Sequence, residues 1–228
     1  MPKERSGLGS SSNSSTSVLD NDGSRIDLSD SPLRYGNDDS NVQGETKRAV
    51  DEFEDKRRES KIEYNRVLDE NGNVIAENRG GKSSVKTKFR DMVRATTFTH
   101  NHPREAGTLG GTFSEADLDT FGNTMLFPRM RTMRAAAKEG TYTISRDSAF
   151  NGTGFRNYYS QVVKAAQRDY NNRRYDLINS AMSGTISGDE YNRQATKAFN
   201  KFLVDLHNGL LSGQKQYGYT YSLERRRR

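Results

Sequence analysis

The first 46 residues hold almost no clustered apolar positions; Ser, Asn, Asp and Gly dominate them. Such a segment gains too little from burial to offset its ordering entropy, which predicts a disordered arm over 1–46. The chain then changes to ETKRAVDEFEDKRRESK, free of Pro and Gly, with Val50 and Phe53 as a narrow apolar stripe. A thin, mostly exposed charged helix over 47–61 is expected. Two short apolar runs at 64–68 and 74–76 flank Asn71-Gly72, whose residue types suit a hairpin turn. After Gly80-Gly81 come a short helix at 91–95 and the β-branched, aromatic run Thr96 to His100, which reads as a strand. The loop from Pro103 to Thr112 holds three glycines, and a helix is expected from Ser114 to about Asn123. Residues 130–145 read as a strand, a Gly turn and a second strand.

Two long helices are predicted next. Tyr158, Val162, Ala166, Tyr170, Leu177, Ile178 and Ala181 recur at intervals of three, four and seven. Tyr191, Ala195, Ala198, Phe199, Phe202, Leu203, Leu206 and Leu210 do the same beyond the break at Ser183 to Gly188. Their stripes imply an antiparallel helical hairpin over 156–211, a partner- or substrate-supporting appendage to a core at 62–155. Residues 212–228 would supply a returning strand near Gly218 to Leu223 and a solvated basic tail ending in Arg225 to Arg228. The fold class is therefore α/β: a mixed sheet with flanking helices, a disordered N-terminal arm and a C-terminal helical hairpin.

Composition narrows the chemistry. Only 31% of residues are hydrophobic and the mean hydropathy is −0.99, as expected if part of the chain does not fold. The absence of cysteine excludes a disulfide framework and any thiolate metal site, so a metal here needs His and carboxylate ligands. No apolar stretch approaches the roughly 18 residues of a membrane span, and MPKERSGLGSSS lacks the apolar stretch of a signal peptide. No membrane partner and a soluble, cytoplasmic protein are the expectations. The net charge of +6 allows a nucleic-acid partner but supports it weakly, since part of the excess sits in the closing arginines.

Two of the three histidines fall in Thr99-His100-Asn101-His102-Pro103. Residues two apart on a strand share a face about 6–7 Å apart at Cα, so both imidazoles can reach one ion. Two surface histidines beside a turn would look the same. Twelve residues beyond His102 stands Ser114-Glu115-Ala116-Asp117, a capping box that would start a helix whatever the function. A helix begun there aims its N-terminus and the Asp117 carboxylate at one neighbourhood.

Taken together, HxHP, a Gly-rich loop and SxxD resemble the signature of the JAMM (JAB/MPN+) zinc metallopeptidases. The form His100-Asn101-His102-Pro103 looks especially like the RadC-related branch and its phage-encoded relatives. The resemblance covers roughly residues 60–145. It implies a JAB/cytidine-deaminase-like fold, Zn2+ held by His100, His102 and Asp117, and Ser114 donating to the oxyanion. An upstream glutamate would activate water, and the substrate would be a protein or peptide cut at a peptide or isopeptide bond. Glu63 fits the glutamate's placement on an early strand, with Glu77 as competitor. One departure matters: the gap from His102 to Ser114 exceeds the family's usual one, so the loop 104–113 must bulge without displacing Asp117.

The letters His-Asn-His do not make an HNH nuclease, and Gly107 to Gly111 lack the ending of a phosphate-binding loop. His207 falls within the second long helix and reads as structural. A second reading of the whole chain is a structural or DNA-associated component of a phage or mobile element, with a phage structural partner and a metal site that performs no relevant proteolysis.

Overall fold

The structure, a computed structural model, describes residues 33–36, 42–104 and 107–225, with the backbone of short strands at 14–15, 17–19 and 25–27. Near the N-terminus β1 (Ser14–Ser15) pairs with β4 (Leu33–Arg34), and β2 (Ser17–Leu19) with β3 (Arg25–Asp27). Helix α1 (Gly44–Arg57) leads into the hairpin of β5 (Tyr64–Leu68) and β6 (Val74–Arg79). Then come α2 (Phe89–Arg94), β7 (Thr97–Asn101), α3 (Glu115–Gly122), β8 (Thr132–Ala137) and β9 (Gly140–Arg146). Two long helices, α4 (Gly152–Met182) and α5 (Gly188–Tyr217), precede the last strand, β10 (Tyr219–Arg225).

Among the described residues this is a mixed α/β fold with five helices and a six-stranded sheet of order β10-β9-β8-β7-β5-β6. Only β7 and β8 run parallel; every other pairing is antiparallel. The central position of β7 explains why all five of its residues are buried. Alternation divides the sheet. Phe98, Met133, Ala135, Tyr142 and Ile144 join the main core with Leu118, Phe121, Phe155, Tyr159, Leu203, Val204 and Leu210 from α3, α4 and α5. The other face carries Thr99, Arg134 and Thr141 toward α1.

That polar face corrects the expectation of a thin, mostly exposed helix at 47–61. Besides Val50 and Phe53, α1 buries Glu54. Its carboxylate accepts from Arg134 Nε at 2.7 Å and Nη2 at 3.1 Å, and from the Thr99 and Thr141 hydroxyls at 3.0 and 3.1 Å. Burial pushes the Glu54 carboxyl up, but Arg134, Arg58 and the Thr99 hydroxyl outweigh it and hold it below the ordinary value. Arg58, just past α1, donates to the Ala137 and Gly140 carbonyls and so fixes the β8–β9 turn.

The disordered arm expected over 1–46 lies for the most part outside the described residues. Where it is described, the expectation fails: Leu33 sits in the main core, Val42 packs with Val50 and Leu68, and the Gly36 N–H donates to the Leu223 carbonyl. Single apolar anchors in a polar stretch form no periodic pattern for a sequence reading to find. The basic tail beyond Arg225 also lies outside the described residues.

The two long helices pack antiparallel, Tyr158 against Tyr217 and Tyr170 against Phe199 and Phe202. The second runs to Tyr217, past the expected end at 211. The hairpin is continuous with the core at its base, where Phe155, Tyr159, Leu203, Val204 and Leu210 are core residues. Past Ala166 no described residue of α4 is buried. No helix among the described residues is long and apolar enough to cross a membrane.

Breaking a buried ion pair from one side strands a charge, at a cost of about 3–5 kcal/mol. Glu54→Ala should therefore lower the urea midpoint sharply, and the double change Glu54→Leu with Arg134→Met should recover much of the loss. Equal midpoints for the wild type and Glu54→Ala would show that the pair does not hold α1 to the sheet.

Candidate metal centre

His100 lies on β7 opposite Asn65 of β5, and His102 follows just beyond the strand's end. Period-two alternation sends both rings to the face of the sheet that packs on the helices. Their Nε2 atoms stand 2.8 Å apart. The Asp117 Oδ2 reaches the same point, 3.4 Å from His100 Nε2 and 4.0 Å from His102 Nε2. Among the described residues this trio is the one group of His or carboxylate side chains able to hold a metal ion.

Asp117 is there because of a helix cap. Its backbone N–H donates to Ser114 Oγ at 3.2 Å, and its Oδ2 accepts from the Ser114 N–H at 2.9 Å. This is the capping box expected from Ser-x-x-Asp, and it also delivers the carboxylate to the histidines. The Ser114 hydroxyl donates to Asp117 Oδ2 at 2.7 Å.

The donor set fits a metal in a specific way. His102 Nδ1 faces the Gly111 carbonyl at 3.0 Å, and a carbonyl only accepts, so the proton sits on Nδ1. Nε2 then presents a lone pair to the trio, the second-sphere arrangement usual for a ligating imidazole. His100 Nδ1 makes no well-formed hydrogen bond, though the Arg134 backbone beside it helps to raise the ring.

Charges respond accordingly. Burial drives the His102 ring down to about 3, with His100 adding to the effect against Asp117. Burial would lower His100 too, but Asp117 and Glu63 outweigh it and raise the ring above 6.5. Burial would raise Asp117, yet both histidines and the Ser114 hydroxyl hold it far below the ordinary carboxylate range. The ionised Asp117 beside two rings thus favours positive charge at this site, and His100 is the ring whose protonation it promotes.

The long loop is tied down by partners the sequence did not reveal. Glu139, in the β8–β9 turn, is buried and accepts from the Gly110 and Gly111 N–H groups at 2.9 and 2.8 Å and from the Tyr142 hydroxyl at 2.7 Å. Asn200 of α5 accepts from the Leu109 N–H and donates to the Gly107 carbonyl. Gly111 has φ +81°, and a Cβ there would stand 2.8 Å from Leu203 of α5, so the position requires glycine. Residues 107–111 are thus held by buried anchors, and Asp117 reaches the two histidines.

Glu63 precedes β5 and is buried. The β5–β7 register, carried on from Asn65 opposite His100, sets Glu63 opposite His102 on the same face. Burial raises its carboxyl; Asp117 adds to this, while His100 and Arg104 oppose it. Glu77 is elsewhere, held low by hydrogen bonds and ion pairs to Arg57 and Arg66 that outweigh the desolvation. His207 is buried between the Arg34 carbonyl and the Tyr221 hydroxyl, and burial pushes it down to about 4, so it stays neutral.

No protein-family model, curated protein or solved structure matches this chain.

The Glu139 carboxylate aims the Gly111 carbonyl at His102. Glu139→Gln places an amide N–H against the loop's own N–H groups, and loss of such an outer-sphere partner costs about 10–100-fold in metal affinity. Titration with Co2+ should show that loss with an unchanged far-ultraviolet spectrum. Wild-type affinity in the variant would remove Glu139 from the site.

Proposed function

We propose that the chain is a zinc-dependent hydrolase of peptide or isopeptide bonds, of the JAMM type and with a JAB/cytidine-deaminase-like core, encoded by a phage or mobile element. The observation that carries this reading is the convergence of His100 Nε2, His102 Nε2 and Asp117 Oδ2, with Glu63 in register beside them. Two nitrogens and one carboxylate oxygen without sulfur suit Zn2+ and leave a coordination position open. Bound zinc supplies the Lewis acidity that activates water and polarises a carbonyl.

The chain's own residues do the rest. Glu63, made more basic by burial, takes the proton of the attacking water and passes it to the leaving amine. Asp117 accepts two hydrogen bonds from Ser114 and stays ionised, so it binds cations at any ordinary pH. The Ser114 hydroxyl, released from Asp117 by rotation of its side chain, donates to the developing oxyanion. His102 is fixed in one tautomer by Gly111 and needs no deprotonation at neutral pH.

The experiment is metal analysis joined to hydrolysis of casein and of lysine-linked ubiquitin dimers. About one zinc per chain should bind, His102→Ala should lose most of it, and Glu63→Gln should keep zinc while hydrolysis falls roughly 100-fold or more. Full zinc in a His102→Ala, Asp117→Ala double variant would end this reading. Bound zinc without cleavage of either probe would favour the assembly-component alternative.

Metal binding should also carry a defined pH dependence. His100 is raised above 6.5, so its proton stabilises the metal-free fold fully below 6.5 and that contribution fades as pH rises through the raised value. Below the raised value each metal displaces one proton, and apparent affinity should climb about tenfold per pH unit. Above it the climb should stop. Calorimetry in buffers of different ionisation enthalpy measures the proton count; a count of zero at pH 6 would contradict the assignment.

A further inference from the structure

The residue between the two histidines has its own task. Asn101 is fully buried at the end of β7. Its Oδ1 accepts from the Tyr64 N–H at 2.7 Å, and its Nδ2 donates to the Ile62 carbonyl at 3.1 Å. These two peptide groups flank Glu63.

The reason lies in the sheet. Carried on, the register sets Ile62 opposite Pro103, which has no N–H to give, and the His102 N–H points the other way, to the Ala136 carbonyl of β8 at 2.9 Å. The Ile62 carbonyl and Tyr64 N–H are left facing β7 without a backbone partner. A primary amide offers the same donor and acceptor as a peptide group, and Asn101 supplies both. On its other side Glu63 is paired through its own backbone, its N–H to the Gly81 carbonyl at 2.7 Å and its carbonyl to the Gly80 N–H at 2.8 Å. That turn admits no side chain at Gly80, where a Cβ would lie 2.2 Å from the Ser84 carbonyl oxygen. Glu63 is thus clamped from both flanks, by a glycine turn on one and by the Asn101 amide on the other.

We infer that Asn101 is a positioning residue for Glu63, an amide that extends the β5–β7 ladder beyond its last backbone pair and locks the carboxylate opposite the two histidines. The hydrolytic part of this inference rests on the proposed function; the clamp itself does not. An aliphatic or hydroxyl side chain at the position could not serve both peptide groups. A Ser or Thr there would leave one of them buried and unpaired, at a cost the Glu63 segment would relieve by moving.

The test uses the full chain loaded with zinc. In Asn101→Ala, zinc should stay at about one per chain, because no ligand changes. The Tyr64 amide should exchange with solvent at least roughly tenfold faster, since its acceptor is gone. With casein as probe, kcat should fall roughly 100-fold at constant KM, the size of a misplaced general base. The double variant with Glu63→Gln should be no slower than Glu63→Gln alone, because both changes remove one function. Asn101→Asp, of the same shape, keeps the acceptor for Tyr64 but sets a carboxylate oxygen against the Ile62 carbonyl. It should protect the Tyr64 amide and still lose activity, and it guards against misfolding of the alanine variant. Unchanged Tyr64 exchange in Asn101→Ala, or losses that multiply in the double variant, would overturn the assignment. If the wild type cleaves neither casein nor ubiquitin dimers, the hydrolase reading falls, and the Tyr64 exchange rates still decide the clamp.

Discussion

The hydrogen bond between His102 Nδ1 and the Gly111 carbonyl joins the two halves of this molecule. On one side stands a ring carried by the sheet. On the other stands a loop with no regular structure, which has to hold one carbonyl still. It does so because its polar groups are paired inside the protein: Gly110 and Gly111 by Glu139 from the β8–β9 turn, Leu109 and Gly107 by Asn200 from α5. A buried carbonyl aimed at a buried imidazole is worth little as one bond. Its value is that a wrong tautomer would put two lone pairs face to face in a medium that penalises them severely.

The sheet carries two buried charge systems, one on each face, through neighbouring residues of the same strands. Thr99 and Arg134 meet Glu54 of α1 on one face; His100 and Ala135, next in each strand, face the helices and the metal trio on the other. The first system is closed, since Glu54 and Arg134 neutralise each other and the two threonine hydroxyls occupy remaining acceptor sites. The second is open. Its two rings and one carboxylate leave a site that favours added positive charge, which a proton on His100 or a metal would supply.

Much of this was legible in the sequence, and the reasons for the rest are physical. The hairpin at Asn71-Gly72, the strand into His100, the cap at Ser114 and the paired long helices all announce themselves through local pattern, and each element is present. So is the grouping of His100, His102 and Asp117, which could hold a metal ion, because HxH and SxxD are short-range geometries on one strand and one helix turn. Glu54 escaped because a Glu in a run of charged residues reads as solvated; only the arrival of Arg134, eighty residues later, makes it a core residue. Glu139 escaped for the same reason, inside what looked like a plain Gly turn. Asn101 was visible but unassigned, since the middle residue of HxH has no role until the neighbouring strand is known. What separates Glu63 from Glu77 is the register, which carried past Asn65 sets the first opposite His102, while the second pairs with Arg57 and Arg66.

The long hairpin shows why a stripe of apolar positions does not mark a separable unit. Its periodicity runs unbroken across both helices, yet burial divides it in two. Near the base, Phe155, Tyr159, Leu203 and Leu210 belong to the core, and Asn200 holds the loop behind His102. Farther out, Tyr175 and Met182 are exposed, and the stripe is satisfied by helix against helix, as where Tyr170 meets Phe199 and Phe202. Both halves of α5 present the same apolar spacing, because one seam packs on α4 along its length while the sheet takes over only at the base. The candidate metal centre therefore depends on the middle of α5, through Asn200 and Leu203 beneath Gly111, though none of its residues is a candidate ligand. The distal turns are the part of the hairpin left without a task inside the fold.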